Sequence, residues 1–156
     1  MYDPGMRIIA LRGVPGSGKS TWAAGQVAPN GTVRVNKDDI RRMLCPADNP
    51  KGYEWSVALE ELVCAIQDGV ITSALQRERD VIVDNTNINP GHIERLREIE
   101  QWASSELEGD TTLEIEDFDV DLEVAIDRDH HREHEVGADL IKDMYRQLEE
   151  ARANEL

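Results

Sequence analysis

The sequence predicts an α/β fold in which a parallel sheet of four to five strands carries helices on both faces. Short apolar runs alternate along the chain with segments of helical length, and parallel strands need such long connections between them. The run at residues 81–83 is also apolar at consecutive positions, which is typical of a strand covered on both sides. Ligands of such sheets bind beyond the carboxyl ends of the strands.

Each element has its own signal. Strands are predicted at residues 7–12, 32–36, 81–84 and 113–116, and the last alternates apolar and charged residues, as an edge strand with one solvated face does. Residues 55–77 place apolar side chains at three- and four-residue steps, which predicts a helix. Asn89 and Pro90 are suited to the cap and first turn of another helix. The remaining helices are expected at 20–27, 121–131 and 139–153.

Length and composition bound the interpretation. The chain has 156 residues and no linker-like segment, so we expect a single domain over residues 1–156. No apolar run is long enough to span a bilayer. The two cysteines, Cys45 and Cys64, have no metal-ligand spacing, which indicates a reducing compartment and predicts a cytoplasmic protein.

The charge is strongly negative but unevenly distributed. The formal net charge is −15, which argues against non-specific binding to nucleic acid. Residues 1–42, however, hold seven basic and three acidic side chains, so a phosphate-bearing substrate is expected to approach that part. Residues 106–123 hold nine carboxylates and no lysine or arginine, and we expect them to form a solvated face.

Residues 13–20 match the pattern G-x-x-x-x-G-K-[ST] at every position, between a predicted buried strand and a predicted helix. Glycines allow a tight turn whose N–H groups converge on a phosphate, and the helix adds its positive end. Lys19 is expected to reach the β- and γ-phosphates and to take part in catalysis, and the Ser20 hydroxyl to bind Mg²⁺. The predicted nucleotide-binding residues of this P-loop are Gly13, Gly16, Ser17, Gly18, Lys19, Ser20 and Thr21.

Asp38 and Arg41 follow the second predicted strand, at the same sheet end as the P-loop. A kinase needs a carboxylate there to accept the proton of the acceptor hydroxyl, and an arginine on the same helix face could bind a phosphate of the acceptor. The structural alternative is that Asp38 offsets the helix dipole and pairs with an arginine on the surface. The spacing leaves both interpretations open.

Polar residues also end the third predicted strand. Asp84 has the position of a Walker-B-type carboxylate and is predicted to hold Mg²⁺ directly or through water. Asn85 and Thr86 could contact the acceptor or simply form the turn. Arg128 and Arg132 lie four residues apart, so on a helix they could close over the triphosphate as a lid (residues 127–133), although pairing with neighbouring carboxylates is the alternative.

These residues together resemble the 5′-kinase domain of bacteriophage-type polynucleotide kinases. The match runs in order through most of the chain and comprises residues 13–23, 36–41, 86–90 and 118–120, then Arg128, Arg132, Met144 and Tyr145. The family's bacteriophage prototype has an aspartate directly before the Thr-Asn pair, where this chain has Asn85, with Asp84 one place earlier. The phosphatase domain often fused to such kinases is not in this sequence.

The resemblance implies a P-loop kinase fold, ATP as phosphate donor, Mg²⁺, and a short single-stranded 5′-hydroxyl end of DNA or RNA as acceptor, which is the chemistry of nucleic acid end repair. It also implies that Asp38 is the general base and that Arg41 binds the acceptor's adjacent phosphate. Arg132 would contact the phosphates of the nucleotide, with Arg128 in the same lid. Two alternatives stay open: a P-loop kinase of a small metabolite, and a nucleotide-binding protein without catalysis.

Overall fold

The computed structural model describes residues 5–133 and 135–156, which form ten elements. Strands and helices alternate for most of the chain, as the pattern of apolar runs predicts. In chain order the elements are β1 (Met6–Arg12), α1 (Lys19–Asn30), β2 (Val33–Val35), α2 (Lys37–Met43), α3 (Val57–Gln76), β3 (Val81–Val83), α4 (Pro90–Glu106), β4 (Thr111–Asp117), α5 (Leu122–His130) and α6 (Ala138–Asn154).

The four strands form one parallel sheet in the order β2-β3-β1-β4. The predicted parallel α/β fold is therefore confirmed. The chain moves to one side of β1 through β2 and β3 and crosses to the other side to form β4. Such a reversal opens a crevice at the carboxyl ends of the central strands, and this is where ligands bind in open α/β sheets.

The two faces of the sheet are covered by different helices. On one face, alternate residues of β1 and β3 pack with buried side chains of α3 and α4. On the other face, Ile9, Leu11 and Ile82 pack against Ala23 and Trp22 of α1. β3 is buried along its whole length, whereas β4 exposes alternate residues, as predicted for an edge strand. A third apolar cluster joins α5 and α6 to the P-loop through Val14.

Helix starts follow local capping chemistry. The side chains of Asn36, Ser56 and Asn89 each accept a backbone N–H in the first turn of α2, α3 and α4, respectively. The predicted capping role of Asn89 is confirmed, because its side chain accepts a hydrogen bond from Gly91 N at 2.9 Å. Within the described residues, no helix has both the length and the apolar character needed to cross a bilayer.

All nine carboxylate residues of the acidic segment 106–123 are exposed, as expected of a solvated face, and Asp117 and Asp119 among them also pair with arginines. The side chain of Arg12 is almost fully buried at the end of β1, where it donates to carboxylate oxygens of Asp117 and Glu155. Arg152 also binds Asp117, and it donates to Asp119 at 2.6 Å. A buried guanidinium needs such partners, and the cluster fixes the end of α6 against the end of β4.

Candidate active site

The P-loop leaves β1 at Gly13 and enters α1 at Lys19, as predicted. Gly16 has a φ of 83°, in the left-handed region that glycine adopts without strain, and a Cβ there would lie 2.9 Å from the carbonyl oxygen of Ala125 in α5. The N–H of Gly13 donates to the carbonyl of Thr86, the turn after β3, at 3.1 Å. The loop is thus fixed between α5 and the end of β3.

Lys19 is buried and turned back onto its own loop. Its Nζ donates to Gly13 O at 2.8 Å, to Val14 O at 2.9 Å and to the Ser17 hydroxyl at 3.2 Å. Burial lowers the pKa of Lys19 to about 8, an effect that the carboxylate of Asp84 opposes. The ammonium therefore has hydrogen-bond partners but too little hydration, and a phosphate oxygen would compensate for that loss.

The first turn of α1 leaves room for an anion. It contains no acidic residue, and no side chain caps its N-terminus. Ser20 and Thr21 are exposed there, directly after Lys19. The positive end of the helix dipole is thus combined with a desolvated ammonium, which is the arrangement that binds phosphate groups.

Asp84 lies directly after β3 and is 1% exposed. Its Oδ2 accepts a hydrogen bond from Arg34 Nε at 2.7 Å, and the Nη1 of the same guanidinium donates to Asp39 at 2.6 Å. The charge of Asp84 also acts on Lys19, as expected for a carboxylate at the P-loop. Its role as a Mg²⁺ ligand stays a prediction. The sequence interpretation missed Arg34, whose position in a strand gave no sign of its partner.

Asn85 and Thr86 hold the site together from within. The amide of Asn85 accepts from the N–H of Lys37 at 2.9 Å and donates to Gln67 at 2.8 Å, so both of its ends bind protein groups. Thr86 provides the carbonyl that binds Gly13. The structure shows turn-forming roles for these two residues, and the predicted contact with an acceptor remains a prediction.

Asn87, for which the sequence left open a contact with substrate or a role in the turn, takes the turn role. It is buried, has a φ of 48°, and its amide donates to Leu11 O at 2.7 Å and to Val83 O at 3.0 Å. The side chain therefore ties together the carboxyl ends of β1 and β3, which are the two strands that border the site. Asparagine is one of the few residues that adopt a left-handed conformation readily, and this was the available sequence signal.

A second group of charges surrounds Arg41 on α2. Arg41 Nη1 donates to Asp38 at 2.7 Å, and its Nε and Nη2 each donate to Glu60 of α3 at 2.9 Å. The Tyr53 hydroxyl donates to the same carboxylate at 2.8 Å. Hydrogen bonds from Arg41 lower the pKa of Glu60. Neither Glu60 nor Tyr53 was predicted, because their partners are distant in the sequence.

Asp38 and Arg41 therefore form an ion pair, as the structural alternative expects, but the pairing does not bury the carboxylate of Asp38. The side chain of Asp38 is 70% exposed, so its carboxylate remains accessible. The start of α2 is fixed to the end of β3, because Asn36 Nδ2 donates to Asp84 O at 2.5 Å and Lys37 N donates to Asn85. Asp38 therefore lies on a helix, α2, whose start is hydrogen-bonded to Asp84 and Asn85. The next residue of that turn, Thr86, binds the P-loop at Gly13.

The lid residues lie over the P-loop. Arg128 Nη1 donates to Gly16 O at 2.9 Å, and the charge of Arg132 acts on Lys19 and lowers its pKa. Asp129 accepts from two backbone N–H groups, those of residues 136 and 137, so the end of α5 is fixed to the segment that leads into α6. Arg128 thus contacts the P-loop, whereas Arg132 Nη1 lies 3.9 Å from Asp129, as the pairing alternative expects, and the predicted roles of both arginines at a triphosphate stay predictions.

A cavity of about 580 Å³ adjoins Val14 of the P-loop. The turn after β4, residues 118–121, forms one wall, and Tyr145 and Arg152 of α6 form another. Pockets for small molecules have this size. The cavity was not predicted from the sequence, because its walls come from two elements that only the fold brings together.

A family described as AAA domain matches residues 8–151, which is most of the chain. The chain belongs to this AAA-domain family. Its fold is shared with a chain in a structure described as the Pnkp1/Rnl/Hen1 RNA repair complex, with a TM-score of 0.77 and 23% identity over 98% of this chain and 47% of that one. A second Pnkp1/Rnl/Hen1 complex matches with a TM-score of 0.65 and 24% identity, over 88% of this chain and 42% of that one.

A gluconokinase from Sinorhizobium meliloti 1021 also shares the fold of this AAA-domain protein, with a TM-score of 0.54 and 20% identity over 95% of this chain and 77% of that one. The chain spans about half the length of the chains it matches in the two Pnkp1/Rnl/Hen1 complexes. The fold is therefore shared with both kinds of neighbour, a chain of an RNA repair complex and a kinase.

Proposed function

We propose that this protein is an ATP- and Mg²⁺-dependent kinase that transfers the γ-phosphate to the 5′-hydroxyl end of DNA or RNA. The observation that carries the proposal is the Asp38–Arg41 pair, an accessible carboxylate beside a guanidinium, on a helix fixed to the P-loop side of the sheet. A hydroxyl flanked by a phosphate is the acceptor that such a pair can align, and a nucleic acid end provides both groups.

The donor site fits a nucleoside triphosphate. Lys19 would exchange its three oxygen partners within the loop for phosphate oxygens, and Arg128 and Arg132 would offset the charge that spreads over the transferring group. The cavity beside Val14 has room for the nucleoside. The description of one matched structure as an RNA repair complex supports the choice of a nucleic acid acceptor.

The residues also fit Mg²⁺, which prefers oxygen ligands and usually combines one or two protein groups with substrate phosphates. Ser20 offers an exposed hydroxyl beside the phosphate site, and Asp84 offers a carboxylate. Within the described ranges no group of three or more His, Cys, Asp or Glu side chains could hold a metal by itself. When bound, the ion would neutralise charge on the β- and γ-phosphates.

In the transfer step, Asp38 accepts the proton of the acceptor hydroxyl while the hydroxyl oxygen attacks the γ-phosphorus. The new bond joins that oxygen to phosphorus, and the bond between the γ-phosphorus and the bridging oxygen breaks, so ADP leaves with the electron pair. Arg41 holds the phosphate next to the reacting sugar. Glu60 keeps the Arg41 guanidinium in place through its two hydrogen bonds.

A transfer assay with γ-labelled ATP tests the proposal. Wild-type protein should label a 5′-hydroxyl oligonucleotide, and Asp38→Asn should abolish transfer while ATP affinity stays nearly unchanged. Asp143→Asn, an exposed aspartate on α6, is the matched control and should behave as wild type. Transfer by Asp38→Asn at wild-type rates would refute the assignment of Asp38 as the base.

A kinase of a small metabolite is the second candidate, and the net charge of −15 favours it, because it repels a long polyanion. Label that moves only to a small alcohol in the same assay would establish that candidate. Binding of ATP without transfer to any acceptor would instead indicate a nucleotide-binding protein that lacks catalysis.

A further inference from the structure

Exposed apolar side chains concentrate in one stretch of the described chain. Among the described residues, seven large hydrophobic side chains are exposed. Four of the seven fall between residues 43 and 62: Met43, Trp55, Val57 and Leu62. Trp55 has the largest apolar surface of these and is 69% exposed. Single exposed apolar residues are ordinary, whereas four within twenty residues of sequence, one of them an aromatic ring, indicate a segment that contacts a partner.

The loop that carries Trp55, residues 45–56, lies between Arg41, the proposed acceptor-binding residue, and the lid. At one end Tyr53 donates to Glu60, whose carboxylate binds Arg41. Elsewhere in the loop, Lys51 Nζ lies 3.9 Å from a carboxylate oxygen of Glu133, next to Arg132 in the lid. The loop therefore borders the space in which the proposed function places the acceptor.

The backbone on which Trp55 sits is fixed. Ser56, the next residue, caps α3 by accepting from Leu59 N at 3.1 Å. The other two tryptophans differ from Trp55, since Trp22 packs edge-on against Phe118 with ring centroids 5.8 Å apart, and Trp102 packs against the main core. Trp55 is thus the tryptophan whose ring faces solvent.

The charge around the loop suits an anionic strand. Residues 41–56 hold three basic and two acidic side chains, in a chain that is otherwise strongly acidic. Arg42 and Lys51 are both well exposed, and each pairs with an exposed carboxylate, Asp39 at 3.2 Å and Glu133 at 3.9 Å, that a phosphate would have to replace. Exposed cations near an exposed aromatic ring are the combination that binds single-stranded nucleic acid, because the cations hold phosphates and the ring stacks on a base.

We propose that the indole of Trp55 stacks on a base near the 5′ end of a single-stranded nucleic acid acceptor while Arg41 holds the phosphate next to the reacting hydroxyl. This inference rests on the proposed function. Stacking needs only the flat face of a base, so the contact adds affinity without selecting a sequence.

The test compares two acceptors that differ only in their bases. One is a 5′-hydroxyl oligonucleotide, and the other has the same backbone with abasic sugars at the 5′ end. Trp55→Ala should raise KM for the first about ten-fold, the equivalent of about 1.4 kcal/mol, and should leave KM for the abasic acceptor and kcat unchanged. Trp55→Phe should keep most of the affinity, and Leu140→Ala, an exposed apolar residue on α6 outside this stretch, should behave as wild type.

Fluorescence tests the contact without turnover. Adding the base-bearing oligonucleotide should quench the tryptophan emission of wild-type protein, and Trp55→Phe should lose most of that quenching. Equal KM increases for both acceptors, or quenching that persists in Trp55→Phe, would overturn the proposal. If Trp55→Ala changed neither measurement, the surface would serve another occupant, such as a protein, and the proposal would be wrong.

The two hypotheses can fail separately. Absence of transfer to any 5′-hydroxyl oligonucleotide by wild-type protein would refute the proposed function. Quenching that depends on Trp55 and on the presence of bases would still support the stacking contact in that case, and its absence would refute it.

Discussion

Lys19 offers a quantitative test of how the P-loop is built. Burial lowers its pKa to about 8 from an ordinary value of 10.5. Between these two pH values the unfolded chain binds the proton and the folded chain does not, so stability should rise with pH across this window. Each pH unit of that gap corresponds to about 1.36 kcal/mol, which gives about 3 kcal/mol in total. The gain in the free energy of unfolding is complete above pH 10.5, where Lys19 is neutral in both states. It is lost as the pH falls to 8.

Lys19→Met removes the titrating group while it keeps a side chain of similar length. Urea unfolding followed by tryptophan fluorescence at several pH values between 7.5 and 10.5 gives the free energy of unfolding of each protein. Relative to the variant, wild-type protein should become more stable by about 3 kcal/mol over this range. Other groups titrate in both proteins, so the difference between the two curves isolates Lys19.

Lys142→Met is the matched control, because Lys142 is exposed on α6. Its stability should differ from wild type by the same amount at every pH. If the wild-type and Lys19→Met curves run parallel, the buried ammonium is not destabilised in the folded protein and the reasoning fails. A second measurement checks the same point: triphosphate binding above pH 8 should take up a proton, which calorimetry in two buffers with different ionisation enthalpies detects.

Three further substitutions test the framework of the site. Arg12→Met should lower the free energy of unfolding by about 2 kcal/mol, because charged hydrogen bonds to Asp117 and Glu155 are lost, and thermal unfolding measures it. Asn87→Ala should cost about 2 kcal/mol and Asn87→Gly less, since glycine accepts the positive φ; a larger loss with glycine would contradict this. Tyr53→Phe should raise KM for the acceptor but not for ATP, and equal effects on both would refute the link to Arg41.

The succession of strands and helices along the chain could be predicted because its signals are local. Apolar runs mark the strands, and Asn89 with Pro90 marks the start of α4. The order β2-β3-β1-β4 could not be predicted in this way. Two of the central runs are apolar at nearly every position, so hydrophobic pattern does not say which strand lies beside which.

The same distinction between local and long-range signals explains which parts of the site could be predicted. The P-loop was predictable because eight consecutive residues carry its geometry. The partners of Arg34, Arg41 and Asn87 were not, because each contact joins residues brought together by the sheet. Asp84 illustrates both cases: its position after a strand suggested a site role, whereas the guanidinium that binds it comes from a neighbouring strand 50 residues earlier.

The net charge of −15 limits the length of a nucleic acid acceptor but does not prevent binding at the proposed site. At physiological ionic strength, charges separated by more than about 8 Å are largely screened, so an acceptor end feels mainly its nearest charges. Near the P-loop these include Lys19, Arg128 and Arg132, with Arg41 on the adjoining helix. A longer strand would add phosphates that the acidic remainder of the chain repels. The charge distribution therefore favours binding of a short 5′ end over binding along a long strand.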